Sequence, residues 1–156
     1  MHPPPPLPPG AALRRADTDT ELRACWPVMQ QLRPHLANAD DFIARVHRMR
    51  ADGYRLLAAW QDAQVLALGG YRLQENLVYG RFLYLDDLVT LDSARGQRWG
   101  EQMIVAVQAI AERAGCAHFV LDTGVANTGA QRFYARQGLA NHAIRYGRRY
   151  AQGAAA

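Results

Sequence analysis

The spacing of apolar positions changes along the chain, and each change of period predicts an element. Residues 12–15 read as a short first strand. Asp17, Thr18 and Asp19 are candidate caps for a helix reaching about Leu36, because Leu22, Trp26, Met29 and Leu32 recur near helical spacing. Pro34 ends or bends that helix. Residues 38–40 cap a second helix, with Phe42, Ile43, Val46 and Met49 as its apolar stripe and Gly53 as its stop. Residues 54–60 and 65–73, joined by the polar turn Gln61-Asp62-Ala63-Gln64, predict a hairpin. Glu75, Asn76 and Gly80 interrupt the chain before residues 81–90, a strand rich in aromatic and aliphatic side chains. The helical period returns over 96–114 through Met103, Ile104, Val107, Ile110 and Ala111, and Gly115 follows as a stop. Residues 118–122 predict a short buried strand, 129–136 a helix ended by Gly138, and 139–150 one more strand or a hairpin. The order β-α-α-β-β-β-α-β-α-β predicts a mixed α/β layer fold with helices on both faces of the sheet.

Composition narrows the class without naming a chemistry. Hydrophobic residues make up 49% of the 156 and charged residues 21%, enough for one buried core and too apolar for a wholly disordered chain. Two cysteines, Cys25 and Cys116, cannot supply a disulfide framework and read as reduced, packed thiols of a cytoplasmic protein. The five histidines lack metal-site spacing, so no metal is expected. No apolar run approaches the length of a membrane span, which argues against a membrane partner. All 18 cationic side chains are arginine and the formal charge is +4. Those arginines are dispersed, so specific nucleic-acid binding is not expected. The proline-rich residues 1–11 read as a disordered leader, 12–150 as a single domain and 151–156 as a flexible tail.

The chemistry concentrates between Tyr84 and Ile104. There a strand runs into a loop holding Arg95, Gly96 and Gly100, and the loop opens a helix. Backbone N–H groups at such a helix start, with the dipole behind them, make an anion site, and glycine allows close approach. The segment lacks both the lysine of a Walker loop and the GxGxxG of a dinucleotide fold. Taken alone, strand–glycine loop–helix also fits a plain structural turn.

Two motifs make the reading more specific. Arg95-Gly96-Gln97-Arg98-Trp99-Gly100 resembles the acyl-CoA loop, Q/R-x-x-G-x-G/A, of the GNAT N-acetyltransferase superfamily. Asn127, Ala130 and the run Phe133-Tyr134-Ala135-Arg136-Gln137-Gly138-Leu139 resemble the family's N-x-x-A-x-x-FYxxxGF. Leu85-Asp86-Asp87-Leu88-Val89-Thr90 is locally similar to the diamine and polyamine branch, with Asp86 in place of the usual glutamate. Arg98 stands at the family's middle glycine: a positive φ there would strain the arginine and alter the loop, whereas a position already helical, the case favoured, would let it simply add a cation near the pyrophosphate.

The resemblance implies the GNAT fold, a central twisted mixed sheet flanked by helices, and transfer of an acetyl group from acetyl-CoA to a primary amine. It implies cofactor contacts from the backbones of Leu88, Val89 and Thr90 and from Arg95, Gly96, Gln97, Arg98, Trp99, Gly100 and Glu101, with Asn127 along the cofactor channel and Tyr134 beside the thioester sulfur. Asp86 is the implied base and Asp87 an implied substrate contact, while Tyr134 is the implied acid for the leaving thiolate. Strand alternation sets Asp86 and Asp87 on opposite faces. The acceptor is expected to be a small-molecule amine, and family members often dimerise through peripheral strands. A second reading keeps the fold as an acyl-CoA sensor or interaction module without turnover.

Overall fold

A computed structural model describes residues 3–152. Strand β1 (Ala11–Arg15) leads into helices α1 (Asp19–Leu32) and α2 (Ala39–Met49). Strands β2 (Tyr54–Gln61), β3 (Gln64–Asn76) and β4 (Gly80–Thr90) follow, then α3 (Trp99–Arg113), β5 (His118–Leu121) and α4 (Thr128–Arg136). The five strands form one sheet in chain order, antiparallel except for the parallel β4–β5 pair. One core joins α1 and α2 to one sheet face, and a second joins α3 to the other. This is the mixed sheet with helices on both faces that the periodicity predicts.

Local chemistry explains the element ends. Thr18 Oγ1 accepts from Glu21 N, while Glu21 Oε2 accepts from the N–H groups of Thr18 and Asp17, closing a capping box. Those backbone donors hold the Glu21 carboxyl down at about 2. Asn38 caps α2 by accepting from Asp41 N at 2.9 Å. Helix α1 stops at Leu32, four residues before the expected end. Arg33 precedes Pro34, and the proline ring disfavours helical conformation there. Arg33 accordingly leaves the helix at φ −122°, ψ 61°.

Two other expectations change. Residues 139–152 form no strand: Ile144 and Tyr146 are 77% and 91% exposed. A segment interrupted by arginines and Gly147, without an apolar face packed on the domain, gains too little from pairing to hold a strand. Where the sequence reading placed a disordered leader, residues 3–10 lie along the domain. Pro5 O accepts from Gln102 Nε2, Pro9 O accepts from Gln61 Nε2 at 2.8 Å, and Leu7 packs on the α3 core. Met1, His2 and residues 153–156 of the expected leader and tail lie outside the described residues.

One irregularity positions everything that follows. The β3–β4 register shifts between Gly70 and Tyr71, so Gly70 pairs with Asp87 and Tyr71 with Leu85, leaving Asp86 as an extra residue. Before this bulge, Leu83 and Leu85 join the α3 core; beyond it, Val89 joins the α1–α2 core. The Asp87 carboxylate is buried, 8% exposed, where Tyr54 Oη donates to its Oδ2 at 2.7 Å and Arg33 Nε to its Oδ1 at 2.9 Å. Gly70 leaves the space for this contact, because a Cβ there would lie 2.1 Å from Tyr54 Oη and 2.6 Å from Asp87 Oδ2. Gly70→Ala is therefore expected to destabilise the domain by about 2–3 kcal/mol in denaturant unfolding. An unchanged midpoint would show that the contact is not tight.

Candidate active site

The parallel pairing of β4 with β5 runs only from Phe82↔His118 to Leu85↔Leu121. Strand β4 continues five residues further, to Thr90, while β5 ends. The sheet therefore splits at the carboxyl ends of two parallel strands, the usual place for a ligand crevice in an α/β sheet. Leu91 N–H donates to Leu66 O at 2.7 Å, which sets the phase of the β3–β4 ladder. Val89 and Asp87 point their main-chain groups at β3, and Leu88 and Thr90 point theirs into the split. Thr90 O is met there by Gln31 Nε2 at 3.1 Å, and Asp86 O by Arg33 Nη2 at 3.0 Å. Between them, the N–H and C=O of Leu88 face the crevice with no strand opposite among the described residues.

Helix α3 begins beside this split. Its first internal bond is Gln102 N–H to Arg98 O, which leaves the N–H groups of Trp99, Gly100 and Glu101 without acceptors in the helix. Gly100 sits where three elements meet: a Cβ would lie 3.3 Å from the Phe133 ring of α4 and 3.9 Å from Thr90 Oγ1. The side chain of Trp99 is 2% exposed and belongs to the core, so only its backbone is available to a ligand. Val89 is likewise buried and turned to β3, which narrows the expected strand contacts to Leu88 and Thr90.

Arg98 departs from expectation. It is left-handed, at φ 65°, ψ 20°, and caps α3 without a side-chain hydrogen bond to the helix backbone. The loop needs a positive φ here, so this residue carries strain that glycine would not. Its guanidinium turns onto Glu101, with Nε to Oε2 at 2.6 Å and Nη2 to Oε1 at 2.7 Å, which holds the Glu101 carboxyl below its ordinary range. Arg95 pairs with Asp92 at 2.9 Å, and Gly96 and Gln97 are exposed beside it. Both loop arginines thus already face carboxylates.

The two β4 aspartates do not sit on opposite faces, because the bulge turns both toward Arg33, Tyr54 and Arg72. Arg72 grips Asp86 with two bonds, Nε to Oδ2 at 3.1 Å and Nη2 to Oδ1 at 2.8 Å. Burial nonetheless pushes the Asp86 carboxyl up, outweighing the pull of Arg72. Asp86 lines a hollow of about 290 Å³ together with Leu88, Asn127 and Tyr134. Asp87 is withdrawn beneath it and fully engaged, so the expected substrate contact is not open to it. Asn127 caps α4, its Oδ1 accepting from Ala130 N at 3.1 Å. The Tyr134 phenol is raised above its ordinary value by burial and stays protonated across the neutral range.

Sequence reasoning missed Gln31, Arg33, Tyr54, Arg72, Tyr84 and Asp122, which complete the site. Arg33 carried a signal in its place before proline. Gln31 comes from α1, and the others from strands and the end of β5, whose pairing no local spacing reveals.

A split parallel pair beside an open helix start defines an α/β protein suited to an extended, anionic ligand. The sequence model of the acetyltransferase (GNAT) family matches residues 16–139, and the chain belongs to that family of acyltransferase enzymes. It is similar to aminoglycoside N(6')-acetyltransferase type 1 of Serratia marcescens, 28% identical over 121 residues covering 75% of this chain and 79% of the relative. Aminoalkylphosphonate N-acetyltransferase of Salmonella typhimurium is 27% identical over 131 residues, 83% of each chain. The solved structure of AAC(6')-Iy in complex with the bisubstrate analog CoA-S-monomethyl-acetylneamine shares the fold, with a TM-score of 0.75 at 22% identity over 90% of this chain and 99% of that one.

Arg98→Gly should relieve the left-handed strain at the cost of one exposed ion pair of small worth. The expected result is a thermal midpoint higher by about 2–4 °C. A lower midpoint would mean that the Glu101 contact outweighs the backbone strain.

Proposed function

We propose that this enzyme transfers an acetyl group from acetyl-CoA to a primary amine of a small polar molecule, by direct attack with both substrates bound. The observation that carries this reading is the free main chain of Leu88 in the split, sharing one hollow with Asp86 and Tyr134. Extended main-chain partners and a cluster of open N–H groups fit a ligand that is amide-rich at one end and anionic at the other. The CoA-derived analog in the related structure and the amine acetyltransferases among the relatives support it. Those relatives support an amine acceptor without singling out the diamine branch.

When bound, acetyl-CoA supplies an acetyl group activated as a thioester. Leu88 and Thr90 would pair with its pantetheine arm as an added strand, and Leu88 N–H would polarise the thioester carbonyl. The N–H groups of Trp99, Gly100 and Glu101, the Gly96–Gln97 loop, Arg95 and Arg98 would meet the pyrophosphate. Asn127 would line the same channel, since its amide N–H₂ is not needed for the helix cap.

An alkylammonium titrates near ~10.4 and must lose a proton before it can attack. Asp86 accepts that proton through water, and its raised carboxyl makes it a better base than an ordinary aspartate. As the C–N bond forms and the C–S bond breaks, Tyr134 protonates the departing thiolate. Arg98, the feature that would favour the sensor reading, takes up the left-handed conformation at a cost in strain, and the open N–H groups of Trp99, Gly100 and Glu101 keep their place beside it. No observation therefore favours a non-catalytic role.

Tyr134→Phe should retain CoA-induced thermal stabilisation while losing about 10²-fold or more in kcat; an unchanged kcat would remove the tyrosine from the reaction. Asp86 works ionised, so kcat/KM should rise with pH through a carboxyl value above the ordinary ~3.9. Asp86→Asn should abolish that acid limb, and a limb that survives would belong to another group.

A further inference from the structure

Each carboxylate at the hollow already has a partner. Asp86 meets Arg72, Asp87 meets Arg33, and Asp122 meets Arg145 and the Tyr84 hydroxyl. The main chain of β4 in the split is partnered more sparingly, and both partners come from the end of α1. Arg33 Nη2 donates to Asp86 O at 3.0 Å, and Gln31 Nε2 donates to Thr90 O at 3.1 Å. Gln31 makes a second contact, because its Oε1 accepts from Asp92 N–H at 3.1 Å.

A residue of a parallel strand donates to the carbonyl before the residue it faces and accepts from the N–H after it. The Gln31 amide does both around Leu91, with Thr90 O on one side and Asp92 N–H on the other. It stands in for one residue of a parallel neighbour, on the side of β4 that β5 occupies further back. The side chain is half-buried and is set by its helix. Val28 and Met29 are sealed in the α1–α2 core, and Arg33 is tied to Asp87 two residues on. Between the two α1 contacts, the N–H and C=O of Leu88 and the N–H of Thr90 face the split.

An amide-bearing arm laid along β4 has two registers to choose from, because a slip of two residues presents the same kinds of group. In one, it meets Leu88 and its thioester carbonyl lies beside Asp86 and Tyr134. In the other, it has moved roughly 6–7 Å toward Asp92 and needs Thr90 O and Asp92 N–H as partners. Gln31 holds both of those groups.

We propose that Gln31 sets the register of the cosubstrate: by occupying Thr90 O and Asp92 N–H, it closes the slipped position and confines the acetyl-CoA arm to Leu88. It is a positioning residue, touching β4 rather than the reacting atoms. The assignment rests on the proposed acetyl transfer and adds to it the group that keeps the thioester beside Asp86.

The test uses the full chain with Gln31→Met, which fills the same space without either hydrogen bond. Gln31→Glu is its companion, since a carboxylate still accepts from Asp92 N–H but has no hydrogen for Thr90 O. Opening an unproductive register withdraws part of the bound cosubstrate from reaction without changing the productive encounter. With acetyl-CoA varied at saturating butylamine, Gln31→Met should therefore lower kcat and KM together, roughly three- to tenfold, and leave kcat/KM unchanged. Gln31→Glu should fall between Gln31→Met and the parent. The second readout is amide hydrogen exchange with CoA alone. CoA should protect Leu88 N–H in both the parent and Gln31→Met, and should newly protect Asp92 N–H in Gln31→Met, where no side chain covers it. That exchange pattern without acetyl transfer to any amine would sink the proposed reaction and keep the register role. A lower kcat/KM, with an Asp92 N–H that CoA leaves unprotected in Gln31→Met, would overturn the register role and leave the reaction standing.

Discussion

The buried carboxylate of Asp87 is the constraint around which the rest of this structure is arranged. A charge at 8% exposure is costly unless its oxygens are paired, and two elements supply the partners while a third leaves the space. Tyr54 reaches it from β2, Arg33 from the end of α1, and Gly70 on β3 leaves the room. This contact ties helix, sheet and bulge together at the point where β4 leaves β5. The inserted residue, Asp86, is thereby directed into the hollow, and the main chain of Leu88 into the split.

Beyond that anchor, the site divides into parts of different rigidity. The α3 start is held by core packing of Trp99, so its open N–H groups are oriented before any ligand arrives. The Asp86–Arg72 pair is half-buried and doubly bonded. At the outer rim, Asp122 holds a cation from an unstructured segment. Preorganisation thus falls off from the α3 start to the outer rim, which under the proposed function is the gradient expected of an enzyme that keeps one cosubstrate constant and selects its acceptor at the rim.

Much of this was legible in residue order. Capping residues Thr18 and Asn38, the helical stripes of α2 and α3, and the turn at residues 61–64 follow local rules, and the elements formed where those rules placed them. The glycine loop and the Asn127–Tyr134 run pointed to the family. Alternation failed at Asp86 and Asp87, because one inserted residue reverses the facing of all that follows it. The conformation of Arg98 was misread because the turn into α3 requires a left-handed residue whatever side chain occupies it. Residues 139–150 carry a weak alternation, yet no packing face on the domain draws them into the sheet.

By itself the sequence determined the element order, the caps and the residue types able to bind an anion and move a proton, since these depend on neighbours within about a turn. Tertiary structure alone decided which carboxylate enters the hollow, which is sealed in the core, and which arginine faces each. Those pairings join positions 33, 54, 72, 86, 87, 122 and 145 across strands and loops. Burial and cross-strand register set them, and neither is a local property of the chain.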